Sequence, residues 1–201
     1  MRIDLNTIQS YIKPNSHVLD LACGSGQLLL ALQKNSNISA IGLENDPQHI
    51  TACIKNGVNV VEHDLNKGLQ HIDDNSYDVV VMTQAIQAMQ HPDVVLDDML
   101  RIGKECIVTF PNFAHWKARW HLMVNGRMPV SDLLPYEWYN TPNIHFCTIK
   151  DFEILCKEKG ITIINNTVVS EVGSSQMLAQ ALPNLFGETA IYHLTKKARA
   201  Q

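Results

Sequence analysis

The 201-residue chain is 45% hydrophobic and carries a formal charge of −4, which suits a single soluble globular domain spanning 1–201 with a sizeable core. The acidic balance gives no support to nucleic acid or an anionic membrane as a partner. No apolar run approaches the ~18 residues that span a bilayer, and Met1-Arg-Ile-Asp-Leu-Asn-Thr-Ile8 lacks the features of a secretory signal, so a cytoplasmic location is expected.

Taken in chain order, Leu5, Ile8 and Tyr11-Ile12 recur at helical spacing and predict a short N-terminal helix. His17-Val-Leu-Asp-Leu21 reads as a strand carrying an acid, Asp20. A tight turn with Gly24 and Gly26 follows and leads into an apolar helix from Gln27. Glycine permits backbone angles closed to other residues and lets a ligand approach the main chain. Ile41-Gly-Leu-Glu44 is a second strand, ending in an acid eighteen residues beyond Gly26. Strand, glycine turn, helix, strand and terminal acid make half of a nucleoside-binding α/β sheet, with Glu44 placed for ribose hydroxyls. Leu29 stands where the dinucleotide fingerprint has its third glycine, which argues against NAD.

Asp46-Pro47 caps the next helix, which Gly57 ends. Val58–Glu62 is read as a third strand and Tyr77–Met82, almost wholly apolar, as a buried fourth. Pro92 opens a helix with Val95, Leu96, Met99 and Leu100 on one face, stopping at Gly103. Cys106–Phe110 is a fifth strand. Thr148-Ile-Lys-Asp151 resembles a capping box before a helix running to Gly160, and Ile161–Ile164 and Thr189–Tyr192 supply two last strands. The alternation implies a mainly parallel sheet with helices on both faces.

Ligands of such sheets sit at the carboxyl ends of the strands. Asp20, Glu44, Asp64 and Thr83-Gln84 occupy four successive ends. For Asp64 and Thr83 the competing reading is that they only cap turns. The segment 110–147 is the second unusual feature. It holds eight of the thirteen aromatics, among them Phe113, Trp116, Trp120, Tyr136, Trp138, Tyr139 and Phe146, with His115, His121 and His145. It reads as a long, mostly irregular connection, either a lid over the sheet edge or a binding surface. Trp116 and Trp120 stand one helical turn apart. His17, His49, His63, His71, His91 and His193 read as surface or cap residues. The five cysteines, with no C-x-x-C pair, support neither a disulfide framework nor a zinc site; no metal is expected. No catalytic base is evident, and Gln84 and Gln87 after the fourth strand do not titrate.

Asp20-x-x-x-Gly24-x-Gly26 resembles motif I of the class I S-adenosylmethionine (SAM) methyltransferases, with Ala22 where many members have glycine. That resemblance implies a Rossmann-like sheet, mainly parallel with an antiparallel last strand, and SAM or S-adenosylhomocysteine as cofactor. Asp20 would lie near the methionine end, Glu44 would hold both ribose hydroxyls, and Asp64 would accept from the adenine amino group with Leu65 beside the ring. Thr83 and Gln84 would face the SAM amino group. Phe110-Pro-Asn-Phe-Ala-His-Trp116, Gly126-Arg-Met-Pro-Val-Ser131, Leu134-Pro-Tyr-Glu-Trp-Tyr139 and Thr141-Pro-Asn-Ile-His145 narrow the resemblance to the MetW family of methionine-biosynthesis proteins. Thr83-Gln-Ala-Ile-Gln87 and Met99-Leu-Arg-Ile-Gly103 fit it too. This resemblance implies a bacterial protein acting beside a homoserine O-acyltransferase of the MetX type. Gln87, Asn112, His115, Trp116, Arg127, Tyr136, Trp138, Tyr139, Asn143 and His145 become candidates for substrate or partner contact. Two functions stay open: an accessory or regulatory partner of the acyltransferase, and a methyltransferase acting on a small metabolite.

Overall fold

A computed structural model describes residues 3–34, 37–131, 134–170 and 176–196. Seven strands form one sheet in the order β3-β2-β1-β4-β5-β7-β6. They are β1 (His17–Leu21), β2 (Ser39–Glu44), β3 (Val60–Glu62), β4 (Tyr77–Thr83), β5 (Gly103–Pro111), β6 (Ile161–Val169) and β7 (Thr189–Lys196). β1 to β5 pair in parallel, whereas β7 runs antiparallel between β5 and β6. The helices are α1 (Ile3–Tyr11), α2 (Gln27–Lys34), α3 (Pro47–Lys55), α4 (Pro92–Ile102), α5 (Trp116–Asn125), α6 (Ile149–Glu158), α7 (Gln176–Ala181) and α8 (Pro183–Phe186).

Side chains alternate across a strand, and the central strands bury both faces. Val80 and Met82 of β4 join Leu19, Leu21, Val108 and the α4 and α6 side chains on one face. Val79 and Val81 join Val18, Ile107, the apolar face of α2 and Leu5, Ile8 and Ile12 of the α1 region on the other. The α1 helix therefore packs as its spacing predicted. The strand order reverses between β1 and β4, and the crevice opposite their carboxyl ends is where open α/β sheets bind ligands.

The ends of several elements differ from the sequence reading. β3 starts at Val60, because Val58 is spent on packing beside Gly26 and Cys53 rather than on the ladder. β6 continues to Val169 through an irregularity between Ile163 and Asn165, and its polar stretch Asn165-Asn166 hid that length. The segment 110–147 is not irregular throughout, since α5 occupies ten residues of it and ends at Gly126 in the left-handed region, φ +59°. His193 is not a surface residue. It is buried in β7, its ring stacks on Tyr11 at 5.2 Å, and its Nε2 lies 2.8 Å from Glu105 Oε2.

Candidate functional site

The turn after β1 is built from backbone that side chains resist. Ala22, Gly24 and Gly26 all have positive φ, at +54°, +55° and +74°. Cys23 N–H donates to the Leu43 carbonyl at 3.1 Å and ties the turn to β2, while Gly26 accepts from Leu30 N–H at 2.9 Å and starts α2. The two glycines do different jobs. A Cβ on Gly26 would meet Cys53 Sγ at 3.0 Å and Val58 Cγ1 at 3.1 Å, so its absence lets the start of α2 seat against α3 and the residues that lead into β3. A Cβ on Gly24 would meet no described atom within 4 Å. The main chain there faces open space.

Glu44, at the end of β2 and 6% exposed, points its carboxylate at this turn. Oε2 accepts from Gly24 N–H at 2.8 Å, and Oε1 accepts from Asn45 N–H at 2.8 Å and Asp46 N–H at 2.9 Å. A carboxylate oxygen has two acceptor positions, and beyond the Gly24 N–H the next group facing Oε2 is His49 Nδ1, 3.9 Å away. Asp20 lies one residue before the end of β1, buried at 1% exposure. The Cys23 thiol, between Asp20 and Glu44, is pushed far up by burial and then by Asp20, Cys53 and Glu44. It stays protonated and is no nucleophile.

Asp64 does cap a turn. Its Oδ1 accepts from Asn66 N–H at 3.0 Å at the start of a 3₁₀ turn, Leu65–Lys67. Leu65 is 5% exposed and sits in the larger core cluster. Thr83 ends β4, half-buried. Gln84 has φ +55°, its N–H bonds to the Thr109 carbonyl and Oγ1, and its Nε2 reaches Thr189 Oγ1 at 3.4 Å.

The remaining candidates divide by depth. Gln87 and Asn112 are buried and clamp neighbouring backbone. Gln87 Nε2 donates to the Gln84 carbonyl at 2.9 Å and to Asn143 Oδ1 at 3.2 Å, and its own carbonyl accepts from Ile144 and His145 N–H. Asn112, fully buried, bonds the Gly187 and Asn184 carbonyls and Ala114 N–H. His115 is also buried, with Nε2 4.0 Å from Glu188, and burial lowers its pKa against the upward pull of that carboxylate. Its ring is neutral at pH 7. Trp116, Tyr136, Trp138 and Tyr139 stand exposed, Trp138 by 74%, along with Arg127 and His145.

A cleft of about 790 Å³ adjoins Gln84 on the side away from Glu44. Lys117 and His121 on α5, Glu188 before β7 and Asp4 on α1 line it with His115, Gln87, Tyr136 and Asn143. Sequence reasoning missed Lys117, Glu188 and Asp4, which carry no local motif and meet only through the fold. The sequence reading also left out Met123 and Val124, exposed beside Trp120 on α5. Among the described residues, no three His, Cys, Asp or Glu side chains are grouped to hold a metal, and no helix is long and apolar enough to cross a membrane.

The family model for methionine biosynthesis protein MetW matches residues 2–194. The chain belongs to the MetW family. A bifunctional methionine biosynthesis protein MetXA/MetW of Rhodopirellula baltica is 32% identical over 209 residues, covering 99% of this chain and 33% of that protein. The chain thus spans about a third of the length of this curated relative. Among solved structures, a SAM-dependent methyltransferase of Thermotoga maritima superposes with a TM-score of 0.66 at 17% identity, over 96% of this chain and 87% of the other. The [4+2]-cyclase SpnF gives 0.67 at 17%, over 96% and 80%. These neighbours show the Rossmann-like class I methyltransferase fold. One of them is a cyclase, so membership of the fold does not specify methyl transfer.

Proposed function

We propose that this MetW-family chain binds SAM or S-adenosylhomocysteine at the β1–β2 crevice and serves as an accessory or regulatory partner of a homoserine O-acyltransferase of the MetX type. The carrying observation for the nucleoside is the Glu44 carboxylate, held by Gly24 N–H beside an open glycine turn. Its orientation is set by three backbone donors before a ligand arrives, which reduces the ordering cost of binding. Asp20 and the exit of β4 at Thr83-Gln84 flank the same crevice, and Asp64 and Leu65 border it beyond β3. The bound group would supply either an activated methyl or a signal of SAM level.

The partner rests on the Rhodopirellula relative, whose name joins MetXA and MetW in one chain. Fusion keeps two modules at high effective concentration. The exposed Trp116, Trp120, Trp138 and Tyr139 are the residue types that dominate interface energies, with Arg127 and His145 nearby. Purifying the chain with a MetX-type acyltransferase tests this reading: co-elution supports it, and separate elution at micromolar concentration removes it.

A second reading, methyl transfer to a small metabolite, is favoured by one observation. The cleft beside Gln84 carries His115, whose neutral imidazole can accept a proton at pH 7. Methyl incorporation into small metabolites, lost in His115→Gln, would move the account to that reading.

A further inference from the structure

Resting on the nucleoside reading of the β1–β2 crevice, we propose that His49 is a further ligand residue there, its Nδ1–H donating to the same ribose hydroxyl that donates to Glu44. His49 is the third residue of α3, behind the Asp46 cap and Pro47. Its backbone N–H is held by Asp46 Oδ1 at 3.4 Å. In a helix the Cα–Cβ bond tilts toward the N-terminus, so a side chain in this first turn leans back over the end of β2. There Nδ1 comes 3.9 Å from Glu44 Oε2, with the imidazole 52% exposed and the carboxylate 7%.

The distance decides the role. At 3.9 Å the two atoms are too far apart for a direct hydrogen bond, and an ion pair on so exposed a ring contributes little. A hydroxyl oxygen beside the pair stands within hydrogen-bond distance of both, at ~2.8–3.0 Å. Among the described residues, Oε1 already takes two backbone donors, from Asn45 and Asp46, whereas Oε2 takes one, from Gly24. An incoming hydroxyl therefore meets Oε2, the oxygen on which His49 converges. The Gly24 main chain leaves room beside it, since a Cβ there would meet no described atom within 4 Å.

The donors and acceptors balance. A carboxylate only accepts, so the hydroxyl gives its one proton to Oε2, and its oxygen then accepts from Nδ1–H. A hydrogen in place of that hydroxyl forfeits both bonds, so Glu44 and His49 together distinguish ribose from deoxyribose.

The test is calorimetry on the full chain with S-adenosylhomocysteine and with its 2′-deoxy and 3′-deoxy analogues. His49→Ala should lower affinity for S-adenosylhomocysteine about three- to tenfold, as loss of one neutral hydrogen bond does. The same substitution should leave unchanged the affinity for one of the two analogues, the one that lacks the shared hydroxyl. His49→Asn, whose amide N–H can stand near the place of Nδ1–H, should keep most of the affinity. The ring lies half in solvent, so these variants fold as the parent does. Unchanged affinity for S-adenosylhomocysteine in His49→Ala, or an equal loss for it and for both analogues, overturns the proposal while the nucleoside reading stands. No binding of S-adenosylhomocysteine by the parent chain removes that reading, and this proposal with it.

Discussion

Ala22 carries a backbone conformation that its side chain opposes. At φ +54° it lies in the left-handed region, where an L-residue is disfavoured by roughly 1–2 kcal/mol. Ala22→Gly should stabilise the chain by about 1 kcal/mol, read as a higher urea midpoint; an unchanged or lower midpoint contradicts the strain argument. Glu44 is the opposite case, an acid whose place is fully supported. Glu44→Ala should weaken S-adenosylhomocysteine binding about ten- to hundred-fold, measured by calorimetry. The same variant leaves three backbone N–H groups without their acceptor, so a stability measurement belongs beside it. His115 makes a pH prediction with a definite sign. Its folded pKa lies below the ordinary imidazole value of about 6.5 because burial disfavours the charged ring. The unfolded chain therefore takes up a proton first as pH falls. Stability contributed by the neutral ring is complete above pH ~6.5 and declines as pH drops through that value toward the folded pKa. Urea melts between pH 5 and 7 should show this slope in the parent and a flatter one in His115→Gln.

Element by element, the exposed apolar surface concentrates on α5 and the loop after it. Of the α5 side chains only Ala118 is buried, while Trp116, Trp120, Leu122, Met123 and Val124 are exposed. So many large apolar side chains exposed on one helix fit the interaction surface proposed above. Trp120→Ala or Trp138→Ala should weaken a complex with the acyltransferase by ~2 kcal/mol or more. Folding stability should move by no more than about 0.5 kcal/mol, because the rings lie outside the core. A pull-down paired with a melt checks both. The same helix explains where sequence reading stopped. Trp116, Trp120, Met123 and Val124 do recur at helical spacing, but the stripe is short and exposed, and the surrounding Gly, Pro and polar residues made the whole segment read as a loop. The short α7 and α8 fall below the length at which a pattern repeats. By contrast β1, β2, β4, α2, α4 and α6 were legible, because buried strands and one-sided helices write their environment into the sequence. Gly24, Gly26 and Glu44 were legible through their spacing. The depth of Gln87 and Asn112 was not legible, because a motif names a residue without telling how far it is buried or which backbone groups it clamps.

Across the whole molecule, Gln87 links the proposed SAM crevice to the proposed contact surface. It bonds the Gln84 carbonyl at the exit of β4 and, through Asn143, Ile144 and His145, holds the segment that leads to the exposed aromatics. A SAM-binding subunit beside an early enzyme of methionine synthesis is well placed to report end-product level, since SAM is made from methionine. Linkage then requires that SAM change acyltransferase affinity by the same factor as the acyltransferase changes SAM affinity. The coupling expected is about 1–2 kcal/mol, roughly five- to thirty-fold in dissociation constant. The most direct measurement is a titration of a MetX-type homoserine O-acyltransferase into this chain, with and without saturating SAM. The account predicts a complex in both titrations, with dissociation constants that differ by that factor. Equal constants would leave SAM a ligand without regulatory effect, and no complex in either titration would contradict the account.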